Sequence, residues 1–300
     1  MYIHGRQMNL PMPYAFILNP TAGSGYAKQV MQKIAGMLDE WRMEYRILET
    51  TEPGNATEIA RNLAAQPEIT TVVAVGGDGT ASEVAAGLSG TGKAMGIIPA
   101  GTGNDFIKTV RIPKDPAAAM KFMLDRPPRP VDTGSINDNF FLNVCGTGFD
   151  VTVLECAEEK KKNHRGLMPY FLGLLQAIRV YAPSRLQITF NQREENGDYL
   201  VCSIANGKII GGGIPICPAA EVRDGKLDLV MIRNVPRWRI PFYLPGLMMA
   251  KDLTFHITEH VRTEHVTIRG QGLKFNIDGE IRRMDEARFK IRPQSLMLIC

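Results

Sequence analysis

The residues best suited to chemistry follow the apolar run Thr70–Val75, in the segment Gly76-Gly-Asp-Gly-Thr80. Glycine lets a backbone approach a ligand closely, and the N-terminus of a following helix offers free N–H groups and a positive dipole end that suit phosphate. A carboxylate among phosphates repels them unless it holds a cation or takes up a proton. The plausible roles of Asp78 are therefore Mg²⁺ coordination and general-base catalysis. Thr80 and Glu83 also have the spacing of a capping box, which predicts that they cap this helix.

Two more polar, glycine-rich loops follow neighbouring strand patterns. One is Asn19-Pro-Thr-Ala-Gly-Ser-Gly25, after Tyr14–Leu18, and the other is Pro99-Ala-Gly-Thr-Gly-Asn-Asp-Phe106, after Ala94–Ile98. The carboxyl ends of parallel strands meet at one edge of a sheet. We therefore expect these loops to face Gly76–Thr80 and to form a nucleotide site with it.

Two other glycine-containing segments resemble nucleotide motifs but do not satisfy them. Gly77-Asp-Gly79 is not a dinucleotide fingerprint, because Ser82 stands where a third glycine is required. Gly87–Ala94 is close to a phosphate-binding P-loop, but Ala94 has no hydroxyl for Mg²⁺, and the segment follows a helix rather than a strand. We interpret it as a turn.

The elements that position these loops alternate between strand and helix patterns. Strands are predicted at Tyr14–Leu18, Tyr45–Leu48, Thr70–Val75 and Ala94–Ile98, and helices at Ala27–Trp41, Ala56–Ala65 and Thr80–Leu88. This order predicts an α/β fold with a doubly wound parallel sheet.

The pattern changes near Arg126-Pro-Pro-Arg-Pro130, which we interpret as a domain boundary. Beyond it, period-two alternation dominates, as in Leu227–Met231, Leu273–Ile277 and Phe289–Arg292, with one helical insert at Met168–Val180. The prediction is a nucleotide domain at 1–130 and an all-β, antiparallel β-sandwich domain at 131–300, with the active site in the cleft between them. A return of the last strand, near 292–300, to the first domain is left open.

Composition excludes several classes of protein. The 300-residue chain has a net charge of +4, which is too weak and too dispersed for a nucleic-acid binder. Five cysteines without a C-x-x-C pair predict reduced thiols in a cytoplasmic protein with no zinc site, and a metal at His256 and His260 is disfavoured. No apolar stretch reaches the roughly 20 residues that cross a bilayer, and the N-terminus has no signal-peptide pattern.

The three loops together resemble the signature of the diacylglycerol kinase catalytic domain, and the similarity extends over nearly the whole chain. That family includes bacterial lipid kinases, sphingosine kinases and ceramide kinases. The resemblance implies an α/β nucleotide domain joined to a β-sandwich, ATP as phosphoryl donor, Mg²⁺ as cofactor and a lipid hydroxyl as acceptor. Diacylglycerol is the first candidate, with phosphatidic acid as product.

The resemblance also assigns roles to individual residues. It places these beside ATP: Asn19, Pro20, Thr21, Ala22, Gly23, Thr50, Gly76, Gly77, Asp78, Gly79, Thr80, Glu83, Thr102, Asn104 and Asp105. It implies a structural Mg²⁺ in the second domain, held mainly by Asp224 with Glu221 and the carbonyl of Lys226. Bacterial members often carry a further acid where this chain has Arg223. A tight Asp-Gly turn is the structural alternative.

The segment Asn276-Ile-Asp-Gly-Glu280 by itself predicts an Asp-Gly hairpin turn. The resemblance adds the role of proton acceptor for Glu280, with Asp78 linked to Mg²⁺. The reverse assignment, with Asp78 as the base, stays open. Phosphoryl transfer depends mainly on positioning and charge neutralisation, so a base and Mg²⁺ suffice.

Two segments combine basic and apolar residues in a way that suits an anionic membrane surface. They are Lys160–Leu175 and Arg237–Met249. We expect one of them to dock the protein transiently on a membrane, while packing of their apolar residues onto the sandwich is the alternative. The predicted partner is a lipid substrate at the membrane surface, and a homodimer is left open.

Two rival functions remain at this point. A NAD kinase shares the Gly-Gly-Asp-Gly loop but phosphorylates a nucleotide ribose, and a non-catalytic nucleotide- or lipid-binding protein needs no catalytic acid. The loop Gly101–Phe106 and the basic-apolar segments favour a lipid acceptor, and the joint presence of Asp78 and Glu280 favours catalysis.

Overall fold

A computed structural model describes residues 2–3, 6–7, 13–161, 168–248 and 257–300. Its strands in the N-terminal half are β1 (Tyr2–Ile3), β2 (Arg6–Gln7), β3 (Tyr14–Leu18), β4 (Tyr45–Glu49), β5 (Thr71–Gly76) and β6 (Ala94–Pro99). The helices there are α1 (Tyr26–Glu40), α2 (Asn55–Ala64), α3 (Asp78–Leu88), α4 (Asp105–Thr109) and α5 (Pro116–Leu124). The strands predicted from sequence are confirmed to within two residues, whereas α4 and α5 were not anticipated.

Strands β3 to β6 form a parallel layer, and three of these four strands are buried on both faces. Strands β3, β5 and β6 are fully buried, as their continuous apolar and β-branched runs predict. Strand β4 pairs with β3, β3 with β5, and β5 with β6, all in parallel. The carboxyl ends of β3, β5 and β6 therefore lie side by side at one edge, where the glycine-rich loops begin.

The remaining part of the chain is mostly antiparallel. Its strands are β7 (Pro128–Ile136), β8 (Asn139–Phe141), β9 (Val144–Gly148), β10 (Ser184–Phe190), β11 (Arg193–Ala205), β12 (Leu227–Arg233), β13 (Thr258–Thr263), β14 (His265–Arg269), β15 (Lys274–Ile277), β16 (Glu280–Arg283) and β17 (Glu286–Ile299). The sheet order in this part is β16-β15-β9-β11-β10-β14-β17, and β12 joins β11 to β13. The predicted fold class, an α/β nucleotide region with an antiparallel β-sandwich region, is confirmed.

The sequence predicted one helix in the C-terminal half, and this number is wrong. The structure has α6 (Phe149–Lys161) and α7 (Met168–Val180), which pack against each other, and also α8 (Ile240–Met248). Only α7 was predicted, and its bounds are confirmed. Near its N-terminus, α6 contains Val151-Thr-Val153, and β-branched residues at adjacent positions favour a strand, which explains why the sequence did not predict this helix.

Strand β17 belongs to both parts of the fold. Its first half pairs antiparallel with β14, and its second half pairs in parallel with β6, where Met297 lies opposite Ala94. A single sheet of 15 strands therefore runs through the molecule. The side chains of Leu296 and Leu298 are buried in the same apolar core as β3, β5 and β6.

Some sequence predictions fall on residues outside the described ranges. These are Lys162–Arg165, Met249 and His256. Within the described part of the chain, the helices are all too short or too polar to traverse a lipid bilayer.

Candidate active site

The glycine-rich loops converge as the parallel sheet predicts. Backbone hydrogen bonds run from Asn19 N to Val75 O (3.0 Å) and from Ala100 N to Gly76 O (2.7 Å), so each loop leaves its strand beside the next. A Cβ added to Gly101 would lie 2.3 Å from Gly77 Cα. Glycine at these positions is therefore required for the two loops to touch backbone to backbone.

The loop that begins at Asn19 lies against the same edge. Gly23 has a φ of 59°, and a Cβ there would lie 2.4 Å from the carbonyl oxygen of Ala100. The Asn19 amide donates to Thr80 Oγ1 (3.1 Å), and its oxygen accepts from the backbone N–H (3.1 Å) and the hydroxyl (2.9 Å) of Thr21. Asn19 thus connects the first loop to the first turn of α3, while Pro20 and Ala22 are partly exposed beside it.

The capping-box prediction for Thr80 and Glu83 is wrong. Helix α3 begins two residues earlier, at Asp78, and Gly77 is its N-cap without a side-chain hydrogen bond. Both side chains form hydrogen bonds with other segments instead. Thr80 Oγ1 accepts from the Asn19 amide, and Glu83 Oε2 accepts from Ala56 N (3.1 Å) at the start of α2. Glu83 therefore lies at the α2–α3 contact, and the first turn of α3 presents backbone N–H groups that suit phosphate.

Asp78 lies at the centre of the converging loops. Its Oδ1 accepts from the backbone N–H groups of Asp105 (2.6 Å) and Phe106 (3.1 Å), which ties α3 to the start of α4. Burial raises the pKa of Asp78 above its usual value, the negative charges of Asp105 and Asp278 add to that rise, and the two backbone bonds oppose it. A nearby cation would favour the ionised form.

Asp105 is a second carboxylate at the same place, and its side chain is buried. Its Oδ1 receives the ammonium group of Lys108 (2.7 Å), and its Oδ2 accepts from Gly212 N (2.7 Å) in the C-terminal half. Sequence reasoning missed Lys108 and Gly212. The i, i+3 spacing of Asp105 and Lys108 and the run Gly211-Gly-Gly213 were the available signals.

The two carboxylates face a common point beside Gly103. A Cβ built on Gly103 would lie 3.0 Å from Asp78 Oδ2 and 3.6 Å from Asp105 Oδ2. Carboxylate oxygens that converge in this way are the ligands that Mg²⁺ prefers, usually with nucleotide phosphates and water. Asp105 is already bonded to Lys108 and Gly212, so Mg²⁺ here would share Asp105 with these groups and bind Asp78 through Oδ2. On these terms the residues present fit a Mg²⁺–ATP complex.

The other predicted residues of this loop have different surroundings. Asn104 has a φ of 49°, and its side chain bonds both Gly101 N (3.1 Å) and Gly101 O (2.8 Å), so it shapes the loop. Thr102 and Gly79 are exposed at the edge of the site. Thr50 follows β4, and its N–H donates to Leu18 O (2.9 Å), which places it at the same end of the sheet.

The C-terminal half reaches this edge through the β15–β16 hairpin. The predicted Asp-Gly turn is confirmed, with positive φ values at Asp278 (48°) and Gly279 (102°). Asp278 Oδ2 accepts from Ser82 Oγ on α3 (2.6 Å), so the tip of the hairpin is attached to the helix that carries Asp78. Glu280 follows at the start of β16, with its side chain 64 % exposed and its Oε2 3.3 Å from Arg282.

Asp278, which the sequence predicts only as part of a turn, also joins the hairpin to other segments of the chain. Besides Ser82, it accepts backbone bonds from Leu142 (2.6 Å), Asn143 (2.9 Å) and Val144 (3.1 Å). Burial raises the pKa of its carboxyl, and these hydrogen bonds oppose the rise. Its partners lie far away in the sequence, so no local pattern could have indicated them.

The predicted second metal site has its carboxylates paired with basic groups. Asp224 Oδ1 accepts from Lys226 N (3.0 Å), and its Oδ2 lies 3.9 Å from Arg262. Glu221 lies 3.4 Å from the ammonium group of Lys208. In this arrangement a metal would have to displace these cations, so Mg²⁺ at Glu221, Asp224 and Lys226 stays a prediction.

The chain is similar to known proteins over nearly its whole length. The family described as "Diacylglycerol kinase catalytic domain" matches residues 13–136, and the "YegS C-terminal NAD kinase beta sandwich-like domain" matches residues 143–300. A relative named a YegS-like lipid kinase from Pseudomonas putida is 36 % identical over 263 residues, which cover 86 % of this chain and 85 % of the relative. The diacylglycerol kinase of Bacillus subtilis is 26 % identical, with 88 % of each protein covered.

Solved structures show the same fold. A crystal structure described as a diacylglycerol kinase from Bacillus anthracis strain Sterne superposes with a TM-score of 0.73 at 22 % identity, with 96 % of each chain covered.

The fold and the converging loops define a kinase of the type that joins a nucleotide domain to a β-sandwich. The chain belongs to the lipid kinase family that carries the diacylglycerol kinase catalytic domain and the YegS-type C-terminal domain.

Proposed function

We propose that this protein transfers the γ-phosphoryl group of ATP to a lipid hydroxyl at a membrane surface, with diacylglycerol as the preferred acceptor and Mg²⁺ as cofactor. The observation that carries this proposal is the convergence of Asp78 and Asp105 at a glycine-lined edge to which the hairpin of Glu280 is attached. The names of the relatives support a lipid acceptor rather than a nucleotide.

The residues divide the chemistry between them. The backbone N–H groups at the start of α3 and the loop at Asn19–Gly23 receive the phosphates. Asp78 and Asp105 would hold Mg²⁺, which neutralises charge on the phosphoryl group during transfer. Lys108, held 2.7 Å from Asp105, adds a positive charge to this region. Glu280, exposed on the hairpin, accepts the proton of the lipid hydroxyl.

A membrane-docking surface is part of the proposal. Three aromatic side chains are exposed in this region: Phe171 on α7 (57 % exposed), Trp238 in the turn before α8 (66 %) and Phe242 on α8 (75 %). Arg237 Nη1 donates to Arg179 O (3.1 Å), which connects the end of α7 to the turn before α8. Exposed arginines beside exposed aromatic rings are complementary to an anionic bilayer.

The activity is tested with radiolabelled ATP and a panel of acceptors that contains diacylglycerol, other glycerolipids, prenols, a sphingoid base and NAD. We expect label in a lipid product, with diacylglycerol the most active acceptor. Asp78→Asn should reduce turnover by about 10²-fold or more, while Asp125→Asn, at an exposed position, should not. Label in NAD alone, or no transfer at all, would contradict the proposal.

Docking is tested by cosedimentation with vesicles that contain phosphatidylglycerol. The Trp238→Ala/Phe242→Ala double variant should bind at least ~10-fold more weakly, because each buried aromatic side chain contributes roughly 1.5–3 kcal/mol. Ile47→Ala, at an apolar position that is 41 % exposed on β4, is the matched control. Equal binding by the double variant and the control would exclude this surface.

A further inference from the structure

A cluster of potential metal ligands lies in the C-terminal half, apart from the residues assigned to phosphoryl transfer. Cys217, Asp228 and His260 each place a ligand atom within 4.8 Å of the other two. The Nε2 atom of His260 lies 2.5 Å from Asp228 Oδ1 and 3.8 Å from Cys217 Sγ. One sulfur, one imidazole nitrogen and one carboxylate oxygen therefore surround a common point.

The fold places these ligands from three separate segments. Asp228 is on β12, and His260 is on the neighbouring strand β13, opposite Val230, so the two side chains are diagonal neighbours on one face of the sheet. Cys217 covers that face from a turn closed by a hydrogen bond from Ala220 N to Cys217 O (3.1 Å). Because the residues are far apart in sequence, no ligand-spacing motif reveals the site.

The aspartate provides an independent indication of a missing ligand. Asp228 is fully buried, and its Oδ2 has no hydrogen-bond partner among the residues that the structure describes. A buried carboxylate oxygen without a partner costs about 1–3 kcal/mol or more. A cation bound at Oδ2 would remove that cost.

Arg262 is the main group that opposes a cation here. Its Nε lies 3.5 Å from Asp228 Oδ1, and its Nη2 donates to Ala219 O (3.0 Å). Arg262 and His260 therefore both contact Asp228 Oδ1, and neither contacts Oδ2, which can bind a cation. The side chain of His260 is 36 % exposed, so the site is open to solvent on one side.

We propose that Cys217, Asp228 and His260 form a binding site for a borderline-soft divalent cation of the Zn²⁺ type. Thiolate, imidazole and carboxylate are the ligands that Zn²⁺ takes in proteins. Ca²⁺ and Mg²⁺ take oxygen ligands and would not use the sulfur. Zn²⁺ would displace the thiol proton of Cys217 to solvent, and His260 would bind as the neutral imidazole through Nε2 with its N–H on Nδ1, with water in the fourth position. The bound ion would fasten the turn after Cys217 to the β12–β13 pair.

The site is tested with the full-length protein after chelator treatment. We expect one Zn²⁺ per chain in competition with a fluorescent chelator, unaffected by excess Mg²⁺. With Co²⁺ as the probe, we expect the near-ultraviolet absorption of a cobalt–thiolate bond. Cys217→Ser and His260→Ala should each lower the Zn²⁺ affinity at least ~10-fold, and Cys217→Ser should abolish the absorption.

The controls use the same residue types elsewhere in the protein. Cys156→Ser changes a buried thiol on α6, and His265→Ala changes an exposed histidine on β14. Both should bind Zn²⁺ as the wild type does. His260 is partly exposed, so His260→Ala remains informative even if Cys217→Ser folds poorly. Wild-type Zn²⁺ affinity in His260→Ala, or the absence of Co²⁺–thiolate absorption in the wild type, would overturn the proposal.

Discussion

Substituting Gly101 by alanine should impair catalysis by separating two loops of the active site. The new Cβ would lie 2.3 Å from Gly77 Cα and 2.9 Å from Asn104 Oδ1, whereas ordinary contact begins near 3.4 Å. The loops must therefore move apart by about 1 Å. A displacement of that size at a reacting centre can reduce the rate roughly 10²-fold, and the overpacking should lower the free energy of unfolding by about 1–3 kcal/mol.

The assay measures kcat and the KM for ATP at saturating lipid, together with urea denaturation. Gly36→Ala is the matched control, because Gly36 lies within α1 and a Cβ there would meet no atom within 4 Å. That control should raise the free energy of unfolding by about 0.5–1 kcal/mol and leave kcat unchanged. Wild-type kinetics in Gly101→Ala would show that the contact between the loops does not position the reacting groups.

Two further substitutions, Asp150→Asn and Glu280→Gln, remove a negative charge and leave the size of the side chain almost unchanged. Burial raises the pKa of Asp150 from 3.8 to about 6, and its Oδ1 has no partner among the described residues. Its contribution to folding stability is therefore largest below pH 3.8 and is lost as the pH rises through about 6. Asp150→Asn should be more stable than the wild type by roughly 1–3 kcal/mol at pH 8 and equal to it near pH 3.5, as measured by urea denaturation; equal stability at pH 8 would contradict this account. Glu280→Gln should lower kcat by about 10²-fold or more with little change in stability, because the side chain is 64 % exposed; an unchanged kcat would exclude it as the proton acceptor.

The parallel part of the fold could be predicted from the sequence because three of its four strands, β3, β5 and β6, are buried on both faces. The run Thr71–Gly76 is uncharged and rich in β-branched residues, and parallel packing then brings the loops at Gly76 and Pro99 together. The same reasoning predicted that the loop of Asp78 faces the loop after β6, and Asp78 Oδ1 accepts backbone hydrogen bonds from Asp105 and Phe106.

The remaining features depend on contacts between distant residues. The hydrogen bonds of Asp278 come from Ser82 and from the backbone at Leu142–Val144, and Glu83 accepts from Ala56 rather than capping its own helix. The Cys217–Asp228–His260 cluster likewise depends on which strands pair. Such contacts follow from tertiary packing, which overrides the local pattern that a capping box or a ligand motif represents.

The position of β17 has a consequence for how the protein folds. One edge of β6 pairs with the end of β17, so this part of the parallel sheet can form only after residues 296–299 have been synthesised. The other parallel strands all precede residue 100. Contacts between such distant segments slow folding, because the entropy of closing the loop must be overcome first. We therefore expect the nucleotide region to remain incomplete during synthesis until the C-terminal region has been made, and a fragment that contains only the early strands to expose the edge of β6 and to aggregate.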